Sequence, residues 1–228
     1  MWAFVASLGG GLVTGDRIAL SVEVGADARL FLGTQASTKV YRSRAGVPAR
    51  QELQARVGPG GLLASIPDPV SCFAQARLVQ RQTFRLQEDA SLVAVDALVG
   101  GRRARGERWA FAAYDSRLEV WRGERLLLAD ALLLGGLPGL PLEARMAPLD
   151  ALALVVAVGP LAAGVAETLV AAAAAARADG VLASVAAVDG GVVARFGAED
   201  RGRLSALLAR ALAPLAPALG GDPLQRKW

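Results

Sequence analysis

The segment from residue 22 to residue 30 reads Val22-Glu23-Val24-Gly25-Ala26-Asp27-Ala28-Arg29-Leu30, which is the pattern of a strand, a short turn and a second strand. Two later segments repeat this form, Ala55–Leu63 and Phe84–Leu92. The turns recur about 30 residues apart, and this spacing favours stacked β-layers over a single meander. Any all-β chain also contains hairpins at such intervals, so the sequence leaves both interpretations open.

Alternating apolar residues extend the strand pattern along the first part of the chain. From Arg17 to Val24 every second side chain is apolar, which indicates a strand with one buried face. Similar runs are Ala28–Leu32, Gln51–Val57, Arg77–Leu86, Leu92–Leu98, Ser116–Arg122 and Arg125–Leu134. Glycine, proline and aspartate separate these runs, as expected for turns.

The composition shifts to alanine and leucine after a glycine and proline break at Gly135–Pro141. The elements predicted beyond it are a buried strand at Leu152–Val158, a helix at Leu161–Ala178, a hairpin at Val181–Phe196 and a helix at Glu199–Ala213. The predicted fold is mainly β with α (α+β). It comprises a layered, β-helix-like stack of strands and hairpins over residues 1–141 and a small C-terminal two-helix α/β subdomain over residues 142–228.

The chain contains no histidine, and this absence excludes most hydrolytic mechanisms. A Ser-His-Asp triad, a Cys-His pair and a histidine-ligated zinc site each require an imidazole. A metal could be held only by carboxylates, the one cysteine, backbone carbonyls or water. The net charge is +4, but the basic residues are interleaved with 21 acidic ones, unlike the basic stripe of nucleic-acid-binding proteins.

Cysteine content and hydropathy bear on the cellular location. The single cysteine, Cys72, excludes an internal disulfide framework and fits a reducing compartment. The residues after Met1 show no secretory signal. The uncharged stretch Ala151–Ala166 is short for a bilayer and is broken by Gly159-Pro160. We therefore expect a cytoplasmic protein.

Four motifs stand out from the strand pattern. Gly9–Asp16 lacks the lysine and the following helix of a phosphate-binding loop, so we interpret it as a glycine turn with Asp16 bonded to its backbone. Thr34–Ser43 predicts a polar face directed at a channel or a protein partner, or else an exposed edge strand. In Ile66–Phe73 two prolines fix an extended segment. Gly100–Trp109 is a solvated turn by default, and otherwise a site for an anion or an acidic partner.

Two carboxylates, Asp96 and Asp130, lie inside otherwise apolar strands. A lone buried carboxylate is costly unless it is paired or hydrogen-bonded. Either an arginine partner or a wet interior passage is therefore expected at each position.

The four motifs together resemble the UreD (UreH) family of urease accessory proteins. The family pattern is a Gly-Gly-x-x-x-Gly-Asp turn, a Thr-Gln-x-x-Thr-Lys-x-Tyr-Arg block, a Pro-x-Pro-x-x-x-Phe segment and a Gly-Arg-x-x-x-Gly-Glu turn. It is matched at Gly10–Asp16, Thr34–Arg42, Pro67–Phe73 and Gly101–Glu107. Members of that family carry several more strands before the glycine turn, so this chain is expected to be short at its N-terminus.

The resemblance implies a layered β fold with a small helical part and a chaperone role without catalysis. It further implies binding to apo-urease and UreF, contact with the GTPase UreG through UreF, and an internal passage for nickel. No tightly bound cofactor is expected, and nickel contacts would be transient. The carboxylates implied along the passage are Asp16, Asp96 and Glu107. The residues implied to line the passage or to contact a partner are Thr34, Gln35, Thr38, Lys39, Tyr41 and Arg42.

Two other functions compete with this interpretation. A β-rich interaction module without a metal role would use the apolar surface to dock a different complex. A carboxylate-based metal hydrolase depends only on Asp16, Asp68, Asp96, Glu107 and Asp130, which form no closely spaced acidic motif.

Overall fold

The computed structural model describes residues 1–135, 138–176 and 180–227. Its strands are β1 (Trp2–Val5), β2 (Arg17–Val24), β3 (Arg29–Thr34), β4 (Lys39–Val40), β5 (Ala49–Val57), β6 (Leu62–Ser65), β7 (Val70–Cys72), β8 (Arg77–Leu86), β9 (Ser91–Val99), β10 (Ala113–Arg122), β11 (Arg125–Gly135), β12 (Ala151–Val158), β13 (Val181–Val188) and β14 (Gly191–Ala198). Its α-helices are α1 (Leu142–Met146), α2 (Ala163–Ala175), α3 (Arg201–Leu212) and α4 (Ala216–Leu219). The predicted elements are therefore confirmed, with small shifts at their ends.

The strands form two sheets that pack face to face. In the five-stranded sheet, β2, β5, β8 and β10 run parallel in that order, and β11 pairs antiparallel with β10. In the nine-stranded sheet, β1, β3, β6 and β9 run parallel, and β12, β14 and β13 continue antiparallel. Strand β7 pairs with both β9 and β4. The chain crosses between sheets at each repeated turn, so the predicted layered, solenoid-like stack is confirmed.

The repeat found in the sequence corresponds to three successive layers of this stack. Aligned positions of the three segments are direct neighbours: Val22 lies beside Ala55, and Ala55 beside Phe84. The turns stack in the same way, because the Asp27 N–H donates to the Pro59 carbonyl at 2.9 Å. The stacked-layer interpretation is therefore correct, and the alternative of unrelated hairpins is wrong.

Apolar side chains from both sheets fill the space between them. The inward-facing Leu63, Phe84 and Leu92 have no solvent-exposed surface. Burying one such side chain stabilises the fold by about 1.5–3 kcal/mol relative to leaving it exposed. Alternation along β2, β5 and β8 thus orients the five-stranded sheet, because only its inner face is buried.

The C-terminal part of the chain extends the nine-stranded sheet and covers its outer face. Strand β12 pairs with β9, and helices α2 and α3 pack on β12 and β14 through buried residues such as Leu169, Leu204 and Leu207. Asp200 caps α3 by accepting from the Arg203 N–H at 2.9 Å. The division of the chain at residue 141 stays a prediction.

Two predicted features fall partly outside the described residues. These are residues 136–137 of the glycine and proline break and residues 177–178 at the end of the predicted helix. No helix in the described ranges combines the length and the apolar character that crossing a membrane requires.

Candidate functional site

One cavity of about 300 Å³ lies between the two sheets. We call it the internal cavity. Its walls include apolar side chains of both sheets, such as Leu20, Leu32 and Leu53. Many polar and charged residues also line it, among them Glu52, Arg81 and Asp96.

Asp96 is held by neutral hydrogen-bond donors and not by an arginine. Gln80 Nε2 donates to its carboxylate at 2.9 Å, Tyr114 Oη at 3.1 Å and Ser116 Oγ at 2.7 Å. The side chain is half-buried, and Asp96 contributes to the lining of the internal cavity. Burial raises the pKa of the Asp96 carboxyl above its ordinary value, while the hydrogen bonds from Ser116, Gln80 and Tyr114 oppose the rise.

The strand pattern explains how Asp96 comes to face these donors. Gln80 in β8 and Ser116 in β10 are register neighbours on the inner face of the five-stranded sheet. Asp96 projects toward them from β9 in the opposite sheet. Either an arginine partner or a wet interior passage was expected for this carboxylate. Asp96 lies in an interior polar pocket, without an arginine partner among the described residues. Asp130 instead has the expected arginine partner, because it forms an ion pair with Arg195.

The second motif supplies one side of the internal cavity. Thr34, Gln35, Thr38 and Lys39 all line it, together with Asp68 of the third motif. Thr34 Oγ1 donates to Asp68 Oδ2 at 2.9 Å and accepts from the Asp68 N–H at 2.8 Å. Asp68 is thus a further carboxylate on the cavity wall, beside Asp96 and Glu52.

A second cavity, of about 500 Å³, adjoins the first. We call it the basic cleft. It is lined by Ser37, Lys39, Tyr41, Ser71, Phe73, Val99, Gly100, Gly101, Arg102, Arg103, Arg105, Asp150, Asp200 and Arg201. Ser37 and Lys39 line both cavities, so the two spaces meet at this segment.

Three predicted site residues lie outside the linings of both cavities. Asp16 Oδ2 accepts from the Val13 N–H at 2.8 Å, which confirms its role in the glycine turn. Arg42 follows Tyr41, and its carbonyl accepts from Thr14 Oγ1 at 3.4 Å. Glu107 pairs with Arg102 and accepts from the Ala74 N–H at 3.1 Å.

The predicted carboxylates do not form one metal site. The hydrogen bond and charge of Arg102 lower the pKa of Glu107, which fits a structural ion pair. In the described ranges no three Asp, Glu or Cys side chains come close enough to hold an ion together. Asp16, Asp96 and Glu107 therefore belong to separate surroundings, and their role along a passage stays a prediction.

The four sequence motifs nevertheless meet at one end of the stack. The Leu12 N–H donates to the Lys39 carbonyl at 2.8 Å, which joins the first motif to the second. The Phe73 N–H donates to the Val40 carbonyl at 2.9 Å, joining the third. The Arg102 guanidinium lies 4.0 Å from the centre of the Phe73 ring, joining the fourth.

Sequence reasoning missed several residues of this site. It gave no site role to Gln80, Tyr114, Ser116 or Asp150, and it considered Asp68 only for a hydrolase. The available signal was a polar residue at an inward position, such as Gln80 between Leu78 and Gln82. Asp150 gave no local signal, because its partners Arg103 and Arg108 lie more than 40 residues away.

Fold and cavities together define a class: a layered β scaffold that encloses a cavity with carboxylates on its wall. Comparison with known families names it more closely. The family model described as "UreD urease accessory protein" matches residues 1–228, and the chain belongs to this family. The resemblance carried by the four motifs is thereby confirmed.

Known relatives agree with this assignment. The chain is 51% identical over 229 residues to "Urease accessory protein UreD" of Sorangium cellulosum, covering 100% of this chain and 72% of that protein. It is 49% identical over 228 residues to "Urease accessory protein UreD" of Anaeromyxobacter sp., covering 99% and 76%. A plant relative, "Urease accessory protein D" of Arabidopsis thaliana, is 39% identical over 160 residues, covering 70% and 54%.

Proposed function

We propose that this chain acts in the cytoplasm as a non-enzymatic scaffold of urease maturation. It binds apo-urease together with UreF, reaches the GTPase UreG through UreF, and assists nickel delivery to the urease active site. Membership of the UreD family and relatives named as urease accessory proteins support this function. The observation that carries the nickel part is the internal cavity with Asp96 and Asp68 on its wall.

The chemistry of the cavity wall suits a passing metal ion better than a resident one. Its lining offers carboxylate, hydroxyl and amide oxygens from Asp96, Asp68, Thr34, Thr38 and Gln35, beside the cations Lys39 and Arg81. Such oxygen ligands hold a divalent ion of this class more weakly than imidazole or thiolate does. Nickel is thus cargo, with weak and exchangeable contacts along the way.

Asp96 is the carboxylate best placed to act on the cargo. Its pKa is raised by burial, so a divalent cation that reaches it competes with a proton. Neutral donors from Gln80, Tyr114 and Ser116 orient the carboxylate without supplying a competing positive charge. Asp16 and Glu107 complete the proposed path as carboxylates outside the cavity.

The test measures nickel in urease matured with variants of this chain. Urease is co-expressed with UreF, UreG and either the wild-type chain, Asp96→Asn or Asp89→Asn, purified, and its nickel content determined by plasma mass spectrometry. Asp89 is a matched control because its side chain is exposed in the turn before β9. We expect less nickel in urease matured with Asp96→Asn and unchanged nickel with Asp89→Asn. Full nickel loading with Asp96→Asn would refute a role for this carboxylate.

The second candidate function is a β-rich interaction module without a metal role. The convergence of four motifs around the basic cleft favours it, because the cleft itself offers cations and aromatic rings. Co-purification separates the two candidates. A chain that captures neither apo-urease nor UreF supports the module, whereas capture of either supports the maturation scaffold.

A further inference from the structure

The basic cleft carries positive charge that its own carboxylates do not neutralise. Its lining includes five cationic side chains but only Asp150 and Asp200 as acids. Asp150 is already shared between Arg103 and Arg108, and Asp200 caps α3 and pairs with Arg203. The acids inside the cleft are therefore engaged.

Across the described ranges, three of the cations, Lys39, Arg105 and Arg201, form no ion pair. Arg105 nevertheless lies near enough to Glu107 for its charge to help lower the pKa of that carboxyl. They belong to separate elements: β4, the 3-10 turn Arg103–Arg105 and the first turn of α3. Like charges that face one cleft repel each other, and a negatively charged ligand would relieve that repulsion.

Aromatic rings give the same cleft an apolar wall. The rings of Tyr41 and Phe73 meet edge to face, with centroids 5.2 Å apart. Arg102 covers the Phe73 ring while its guanidinium also binds Glu107. A ligand for this cleft therefore combines carboxylates with apolar groups, as an acidic peptide does.

We propose that the basic cleft binds an acidic peptide segment of a protein partner. The cleft is about 500 Å³ in volume and its unpaired cations come from three elements, which suits an extended chain better than one small oxyanion. Because Ser37 and Lys39 line both cavities, the bound segment lies at one end of the internal cavity. The identity of the partner rests on the proposed function, in which UreF and apo-urease are the candidates.

The test compares three double variants, two of which lose the same amount of charge. R105S/R201S removes two unpaired cations of the cleft, and R105K/R201K keeps the charge there. R56S/R117S is the control, because Arg56 and Arg117 are exposed on β5 and β10 of the five-stranded sheet. Thermal melting checks the folding of each variant. Binding of purified UreF and of purified apo-urease to the full chain is measured by biolayer interferometry at low and high salt.

We expect R105S/R201S to bind one of these partners roughly tenfold more weakly, the size of two lost ion pairs. R105K/R201K and R56S/R117S should bind like the wild type, and the difference should shrink at high salt. Equal weakening by the cleft and control variants, or wild-type binding by R105S/R201S, overturns the inference and leaves the proposed function standing. A wild-type chain that binds neither partner overturns both.

Competition experiments separate the ligand classes. Inorganic phosphate or duplex DNA is titrated against the free chain and against the complex. Suppose that phosphate or DNA binds the free wild-type chain but not R105S/R201S, and that UreF and apo-urease bind both equally well. The cleft would then be a site for that anion, and the inference would fail. We expect phosphate to weaken partner binding only through its ionic strength.

Discussion

Replacing Asp96 with asparagine tests whether the internal carboxyl is destabilised by burial. Asparagine keeps the size of the side chain and an oxygen acceptor for Gln80, Tyr114 or Ser116, but it cannot ionise. Comparison of the variant with the wild type therefore isolates the free energy of charging the carboxyl inside the protein.

The sign of the effect follows from the raised pKa of Asp96 in the folded state. Above the ordinary aspartate pKa of about 4, the folded protein retains a proton that the unfolded chain has released. The wild type therefore loses stability as the pH rises toward the folded-state pKa. Its unfolding free energy should fall relative to Asp96→Asn by up to about 1.4 kcal/mol per pH unit in that window.

The assay is urea unfolding followed by circular dichroism, across a pH series from about 4 upward. Asp89→Asn reports the effect of losing an exposed carboxylate under the same conditions. A difference between wild type and Asp96→Asn that is independent of pH would refute the reasoning. So would a wild type that gains stability relative to the variant as the pH rises.

Three further predictions concern stability and reactivity. Asp150→Asn should lower the unfolding free energy by about 1.5 kcal/mol in urea titrations, because the 6% exposed carboxylate loses charged hydrogen bonds to Arg103 and Arg108, which are 64% and 23% exposed; an unchanged midpoint would contradict this. Cys72 should resist a thiol reagent until the protein unfolds, since burial raises its pKa to about 12; fast native-state labelling would count against it. Gly58→Ala should lower the unfolding free energy by about 1–3 kcal/mol, because a Cβ there would lie 2.9 Å from the Ala26 nitrogen. Gly25→Ala is the control, because a Cβ at that position meets no atom within 4 Å. Equal melting temperatures for the two glycine variants would contradict the stacking of the turns.

The layered fold could be predicted because its signal is local and periodic. Alternation along Arg17–Val24 gives the buried face, and the repeat of Val22–Leu30 at Ala55–Leu63 gives the layer spacing. The aligned positions of these segments are register neighbours in the structure. Each segment carries its own turn, but the spacing alone left ordinary hairpins open, and the resemblance to the UreD family favoured stacked layers.

The surroundings of the site residues could not be predicted in this way. Asp96 receives donors from β8 and β10, and nothing within its own strand indicates which side chains face it across the two sheets. The contact between Thr34 and Asp68 joins positions 34 residues apart. The contacts of Asp96 depend on the relative placement of the two sheets, and the contact of Thr34 with Asp68 depends on the pairing of β3 with β6. Local patterns encode neither.

The composition of the basic cleft was even less predictable from the sequence. Arg201 reaches it only because β12 pairs with β9 and thereby brings the C-terminal segments beside the motif loops. The sequence at Gly100–Trp109 predicted a solvated turn by default, with a site for an anion or an acidic partner as the alternative. The contribution of α3 to the same cleft became visible only in the structure.

The nickel content of urease from cells with and without this chain tests the central claim most directly. Urease is purified from cells that express its structural subunits, UreF and UreG, either without this chain or with it restored, and nickel per urease active site is measured. The proposed function predicts nickel-poor urease without the chain and recovery when it is restored. Equal nickel content in both preparations would contradict the account.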